Sequence, residues 1–372
     1  MNIQSIKPSE KGLEVFWDDS DKSCFPWFWL RDHSESGVDL HPDTLQRQID
    51  SFSAPLDNTV SKVWLDDGME NVYIKWQDDS SSLLSASLLE RMSKPALPQL
   101  STIDSAELWN SADKINLFPE MQYEQLMDDE NGISLWLEHV KRAGFILVRS
   151  SPATAEATKK LMERISYLRN SIFGEFSVWD NKKINPDDTA YTSEEIELHT
   201  DSTYVHDAPG LQTLHCLQKD SQGGENQLVD GMAIAELMRR EFPQAFNILC
   251  KVQVPGRYIR SDAYLETHRP VFRVNNDGEI IQVSFNNHDR APFRLEHDEM
   301  ESFYEAYGIL HRLAHNRERH FEFLLEPGNI LTFDNWRLLH GRSALTGYRQ
   351  LCGGYHNRED FESRLRTESI FL

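Results

Sequence analysis

The sequence predicts a mainly β chain with flanking helices, divided into a small β-rich N-terminal domain and a larger domain that carries the chemistry. Three observations lead there. A chain of 372 residues exceeds one ordinary domain and falls short of three. Its first part consists of short segments of β pattern cut by Asp, Ser and Gly clusters. Its second part mixes a few amphipathic helical stretches with alternating or continuously apolar runs.

In chain order, Gly12 to Trp17, Lys62 to Leu65 and Asn71 to Trp76 read as strands of an N-terminal domain over residues 1–94. The stretch 95–119 carries Pro95, Pro98 and Pro119 with few large apolar residues, and reads as a linker. The second domain, 120–372, opens with helical periodicity over Tyr123 to Ala143 and Thr154 to Ser171, flanking a strand at Phe145 to Val148. Further helices are expected over Met232 to Val252 and His297 to Asn316. Between them the segments run in β fashion, so strands dominate where the candidate site residues lie. No repeat of solenoid or propeller period occurs.

Composition excludes several classes of function. A formal charge of −22, from 60 acidic against 38 basic side chains, repels phosphate backbones and anionic headgroups, which argues against nucleic-acid and membrane-surface roles. The same field favours a cationic small substrate. Four widely spaced cysteines (Cys24, Cys216, Cys250, Cys352) match neither a disulfide framework nor a CxxC pair, which suits a reducing compartment. The N-terminal segment has neither a signal nor a transit pattern, and no apolar run approaches membrane-spanning length, so a cytoplasmic location is expected.

Non-haem iron chemistry with a chelating co-substrate needs three protein ligands on one face of the metal, and two histidines with one carboxylate meet that need. In Glu195-Ile-Glu-Leu-His-Thr-Asp201, strand alternation sets His199 and Asp201 on one face. The spacing alone is weak: with 14 histidines in an acidic chain a chance occurrence is expected, and His41-Pro-Asp43, in a turn-like stretch, is one. His340, in an apolar run closed by Gly341, is the third candidate ligand. Arg349 raises its standing, because a co-substrate with a distal carboxylate needs a fixed bidentate cation. Of the competitors, His206 is out of strand phase with Asp201 and His215 reads as a core histidine bonded to the backbone.

These residues sit in long stretches that resemble a known family: ERISYLRNSIFG, DDTAYTSEEIELHTDSTY, PGLQTLHCL, GGENQLVDG, FNNHDRA and DNWRLLHGRSALTGYRQLCGGY, with WFWLRDHS and LQRQID near the N-terminus. The sequence resembles the trimethyllysine dioxygenase and γ-butyrobetaine hydroxylase family of iron(II)- and 2-oxoglutarate-dependent oxygenases over nearly its whole length, the trimethyllysine enzymes more closely. That resemblance implies a double-stranded β-helix (jelly-roll) catalytic domain and a homodimer. It implies iron held by His199, Asp201 and His340, 2-oxoglutarate held by Arg349 and Asn226, and ascorbate as a stimulant. A trimethylammonium head is then gripped by aromatic faces and a carboxylate, since it cannot donate a classical hydrogen bond. Asp188, Tyr191 and Tyr355 match such positions. Phe173 stands where relatives have tyrosine, and Trp179 is the candidate for a displaced cage tryptophan. Asn286, Asn287 and Arg290 are candidates for the anionic end of the substrate, with an ordinary turn as the alternative for the asparagines. Family members bind a structural zinc through cysteines, but those positions here hold Ser34, Ser36 and Asp39, so no zinc is expected.

The expected reaction is hydroxylation of an unactivated C–H by dioxygen, coupled to decarboxylation of 2-oxoglutarate to succinate and carbon dioxide. Trimethyllysine is the first candidate substrate, with γ-butyrobetaine and trimethylaminoethyl phosphonate as alternatives. A silent jelly-roll binding module has no need for the triad together with Arg349, and a metal-dependent hydrolase has no use for Arg349.

Overall fold

The computed structural model describes residues 2–19, 21–52, 59–94, 106–109, 119–129, 131–182 and 192–371. The chain divides into two compact units, Met1–Leu100 and Ser101–Leu372.

The first unit contains two three-stranded antiparallel meanders, Ile3–Ser9, Gly12–Trp17, Lys22–Phe25 and Val60–Leu65, Asn71–Trp76, Ser81–Ser85. Alternation buries Leu13, Val15 and Trp17 of one central strand and Val72, Ile74 and Trp76 of the other in a common cluster. Both central strands end on a buried tryptophan whose indole N–H donates to a serine six residues on: Trp17 to Ser23 and Trp76 to Ser82, each at 2.9 Å. A buried indole needs such an acceptor, and each bond ties a hairpin closed. Ser34 Oγ accepts the Leu83 amide and Ser36 Oγ donates to Asp39, so the residues at the family's zinc-cysteine positions serve as hydrogen-bonding groups.

The second unit is built on two sheets. The six-stranded sheet runs in the order Glu120–Gln122, Phe145–Arg149, Ile330–Asp334, Leu211–Gly223, Leu345–His356, Phe176–Asp180, and is antiparallel except for its first pair. The four-stranded sheet runs Ile196–His199, Leu338–Arg342, Asn226–Asp230, Phe321–Phe323 and is antiparallel throughout. Neither sheet closes on itself. Leu228 and Leu338 of the smaller sheet share a core cluster with Leu331, Phe333 and Leu351 of the larger, the double-sheet packing of a jelly roll.

Helices cover the outer faces. Phe145 to Val148 of the strand Phe145–Arg149 are apolar without alternation because both faces are buried there. Ile146 and Val148 pack with Trp136 and Val140 of helix Gly132–Ala143 and with Leu161 of helix Ala155–Ile165, while Phe145 and Leu147 join the inter-sheet cluster. Burying each such side chain stabilises the fold by roughly 1.5–3 kcal/mol. On the other side, helices Gly231–Glu241, Pro243–Lys251 and His297–Ala314 pack on Leu198, Val229, Val283 and Leu339.

All four expected helical stretches differ in their bounds, His297 to Asn316 by ending at Ala314. Tyr123 to Ala143 divides into Tyr123–Asp128 and Gly132–Ala143, and Gly132 sits so close to the first helix that a Cβ there would lie 2.2 Å from the Gln125 carbonyl oxygen. The next helix stops at Ile165, with Ser166 extended. Met232 to Val252 breaks at Phe242, since Pro243 excludes helical backbone at the residue before it. Among the described residues, no helix is long and apolar enough to cross a membrane.

Candidate active site

A cavity of about 450 Å³ is lined from both sheets of the second unit. His199, Asp201 and His340 meet in it, with ligand atoms all within 4.8 Å of one another.

His199 ends the strand Ile196–His199 and lies directly across the ladder from His340, so pairing alone brings the imidazoles to 4.2 Å between ring centroids. The expected alternation is broken here. The register shifts between Ile196 and His199, so these two both line the cavity while Leu198 turns into the helix-covered core. Asp201 is not in the strand; it follows its end and is held from elsewhere. Its amide donates to Asn335 Oδ1 at 2.7 Å, and Asn335 Nδ2 donates back to the Asp201 carbonyl and to that of Pro209. Thr200, between the two ligands, exchanges hydrogen bonds with the Phe285 backbone.

Asn335 reaches that position because the apolar run around it is two strands. Ile330–Asp334 belongs to one sheet and Leu338–Arg342 to the other, and Gly341 lies within the second strand and forms no terminal turn, contrary to the sequence expectation. Each residue of the connecting turn is anchored. Asp334 pairs with Arg358 at 2.6 Å, Trp336 donates to the Ala208 carbonyl, and Arg337 pairs with Asp230 at 2.8 Å, both ion pairs buried.

The electrostatics of the triad suit a cation. Burial would raise the Asp201 carboxyl, but the imidazoles of His340 and His199 outweigh it and hold the group well below the usual carboxylate range. Burial would lower His199, yet its contact with Asp201 raises it, while burial and the neighbouring His199 charge keep His340 low. His199 Nδ1 donates to the Glu197 carbonyl at 2.8 Å, which leaves Nε2, 3.2 Å from Asp201 Oδ1, facing the cavity. Tyr355 donates to the other carboxylate oxygen at 2.8 Å and accepts from Gln212. Two imidazole nitrogens and one carboxylate oxygen converge as a facial donor set for ferrous iron.

Arg349 lies on the cavity wall, 3% exposed. Nη1 donates to the Gly224 carbonyl, but Nε and Nη2 are buried with no hydrogen-bond partner among the described residues. Burial lowers its affinity for its proton against the opposing pull of the Cys216 sulfur and the Glu326 carboxylate, and a buried guanidinium with no ion-pair partner among the described residues calls for an anion. Asn226 Nδ2 is likewise unpartnered, and the backbone around Gly353 approaches so closely that a Cβ there would lie 1.9 Å from the Thr213 carbonyl oxygen. Arg342, which sequence reasoning missed, lines the same cavity; burial pushes it down to about 10, with the Arg349 charge adding to the effect.

Phe173, Trp179 and Tyr355 all line the cavity. Phe173 stacks edge-on against Tyr258 at 5.8 Å, and Tyr258 packs on Tyr204 at 5.1 Å. Neither Tyr204 nor Tyr258 was singled out in the sequence. The STY of HTDSTY, directly after the ligand pair, is the signal for Tyr204; Tyr258 lies in a separate hairpin and carries none. Asp188 and Tyr191 lie outside the described residues.

Of the FNNHDRA segment, Asn286 lines the cavity but caps its own turn, accepting from the His288 and Asp289 amides. Asn287 is exposed and Arg290 stands over the Tyr304 and Tyr307 rings, so neither joins the cavity lining. His206 bonds to Thr267 outside the lining. His215 is a core histidine as expected, but its ring nitrogen meets the Thr158 hydroxyl at 2.6 Å and no backbone group; burial pushes it down to about 4. His41 accepts the amides of Asp43 and Thr44 as an ordinary turn.

Residues 110–355 match the family model described as taurine catabolism dioxygenase TauD, TfdA family, and residues 4–90 match the γ-butyrobetaine hydroxylase-like N-terminal model. The chain is 30% identical to trimethyllysine dioxygenase of Meyerozyma guilliermondii, over 100% of this chain and 97% of that one. It is 32% identical to mitochondrial trimethyllysine dioxygenase of Bos taurus, over 90% and 80%. It is 28% identical to γ-butyrobetaine dioxygenase of Pongo abelii, over 95% and 93%. A taurine dioxygenase from Burkholderia xenovorans shares the fold, with a TM-score of 0.51 at 16% identity over 68% of this chain and 91% of that one. With a donor triad, a buried cationic wall and these relatives in agreement, the chain belongs to the TauD, TfdA family of dioxygenases, in its trimethyllysine and γ-butyrobetaine dioxygenase branch.

Proposed function

We propose that the protein is an iron(II)- and 2-oxoglutarate-dependent hydroxylase of trimethyllysine. The observation that carries this reading is the pairing, in one cavity, of the His199–Asp201–His340 donor set with Arg349 Nε and Nη2, which have no hydrogen-bond partner among the described residues. In it, His199 and His340 offer imidazole nitrogens and Asp201 a carboxylate oxygen to ferrous iron. Arg349 takes the distal carboxylate of 2-oxoglutarate in charge-assisted hydrogen bonds, and Asn226 Nδ2 supplies a further donor. When bound, iron and 2-oxoglutarate activate dioxygen, with succinate, carbon dioxide and a hydroxylated substrate as products.

The protein's own task is positioning. The bond from Tyr355 to Asp201 Oδ2 turns the other carboxylate oxygen toward the imidazoles. Phe173, Tyr204 and Tyr258 offer aromatic faces suited to a trimethylammonium head, with Trp179, Tyr355, Asp188 and Tyr191 as further members of that grip. The bonds of Asn286 within its own turn favour a scaffolding role for it. We further assign the protein a homodimeric state, a cytoplasmic location and a separate N-terminal domain joined by a linker within 95–119.

The test is succinate release by iron-loaded protein with 2-oxoglutarate and ascorbate, comparing trimethyllysine, γ-butyrobetaine and trimethylaminoethyl phosphonate with their dimethylamine analogues. Strong stimulation by trimethyllysine and little by its dimethyl analogue is expected. Preference for another trimethylated compound reassigns the substrate, and no stimulation by any of them overturns the trimethylammonium reading.

A further inference from the structure

A second group of ligating side chains stands on the strand that carries His199. Glu197, His311 and His315 bring one ligand atom each to within 4.8 Å of one another, the same separation that the His199 triad satisfies. We propose that these three residues form a second, peripheral divalent-metal site of zinc-like preference, with His288 as a fourth ligand.

His311 and His315 lie four residues apart at the C-terminal end of helix His297–Ala314, which sets them on one face, one turn apart. Their rings stack at 3.9 Å between centroids. His315 Nδ1 donates to the His311 carbonyl at 2.8 Å, so its proton is placed there and the Nε2 lone pair is free. That Nε2 is buried with no hydrogen-bond partner among the described residues. A histidine whose one nitrogen is tied to a carbonyl while the other faces a carboxylate has the outer support typical of a metal ligand. Burial and the adjacent His315 lower the affinity of His311 for a proton, which favours the neutral ring that binds metal.

Glu197 brings the negative charge. Its carboxylate stands 3.6 Å from His288 Nε2, which approaches from the turn after Phe285. Metal–ligand distances of about 2.0–2.2 Å require donor atoms closer together than their present separation. The Glu197 side chain is 45% exposed and can close that gap. Two imidazoles and one carboxylate, with the exposed His288 ring beside Glu197 as the fourth donor, offer an N/O set that suits zinc better than calcium or magnesium. Because the Glu197 carbonyl receives the His199 Nδ1–H bond, an ion here ties helix His297–Ala314 to the strand end that presents His199.

The experiment is zinc stoichiometry on the metal-stripped full-length protein, by equilibrium dialysis with metal analysis and with circular dichroism as the folding control. Wild type should bind two equivalents, a His199→Ala/His340→Ala variant one, and the same variant with His311→Gln and His315→Gln none. In an otherwise wild-type background, Glu197→Gln should weaken one of the two equivalents by about tenfold, which keeps the test valid if the multiple variants do not fold. Zinc should also raise the melting temperature of the His199→Ala/His340→Ala protein. No uptake by that variant, or two unweakened equivalents in Glu197→Gln, overturns the proposal. Neither result bears on succinate release, which tests the inner site alone.

Discussion

Glu197 and His199 stand two residues apart on one strand, and each belongs to a different cluster of ligating side chains. The inner cluster is fixed from every side. His199 and His340 are cross-strand partners, Asp201 is clamped by Asn335, and its carboxylate is turned by Tyr355. The outer cluster hangs on one helix end and one strand, with a half-exposed carboxylate free to move. Similar donor atoms therefore have different tasks open to them. A rigid facial set can leave coordination positions for a co-substrate and dioxygen, whereas a loose set that closes around an ion suits structural binding.

Substitutions can break this contrast, the largest effect first. Asp201→Ala removes the one carboxylate of the inner set, and iron-dependent succinate release should fall to background, while His315→Gln, at a side chain that bonds to the His311 carbonyl and belongs to the outer cluster, leaves it within about twofold. Arg337→Met leaves the buried Asp230 carboxylate without its ion-pair partner, held among the described residues only by the Trp109, Met232 and Ala233 amides, beneath the turn that carries Asn335. A loss of about 3–5 kcal/mol in urea denaturation is expected, against less than about 0.5 kcal/mol for surface changes.

Arg349→Ala should raise the KM for 2-oxoglutarate about 10- to 100-fold with smaller loss of kcat, since a charge-assisted hydrogen bond contributes about 1.5–3 kcal/mol. Arg349→Lys should recover only part of that, lacking the planar fork. Asn335→Ala should weaken iron binding about tenfold or more, read by iron titration, while the outer site keeps its zinc. Tyr355→Phe, which loses a single bond to the ligand carboxylate, should have the smallest effect of this series, on the order of a few-fold in iron affinity.

The residues legible in the sequence were those whose chemistry is local or whose spacing repeats a strand or helix period. His199, Asp201 and His340 were found from ligand type and strand pattern, and the structure brings them together, although the period-two reasoning that linked the first two does not describe the bulged strand end. Asn335 and Arg337 were invisible as individuals. They sit inside what reads as one apolar run, and only the change from one sheet to the other reveals the turn. Asn287 and Arg290 had the right chemistry but face other partners. Glu197 was noticed only as a polar position, and nothing in its neighbours signals His311 or His315, more than a hundred residues away.

The sequence by itself determined the mainly β class, the strand segments, the candidate ligands and the cation that an anionic co-substrate needs. These depend on hydrophobic period and on side-chain chemistry, both of which are local. Tertiary structure alone decided which of the 14 histidines meet a carboxylate, that Tyr204 and Tyr258 join Phe173, and that Arg349 keeps two donor nitrogens without a hydrogen-bond partner among the described residues. Those are matters of register between distant strands and of what burial leaves unpaired, and neither is encoded in any short window of the chain.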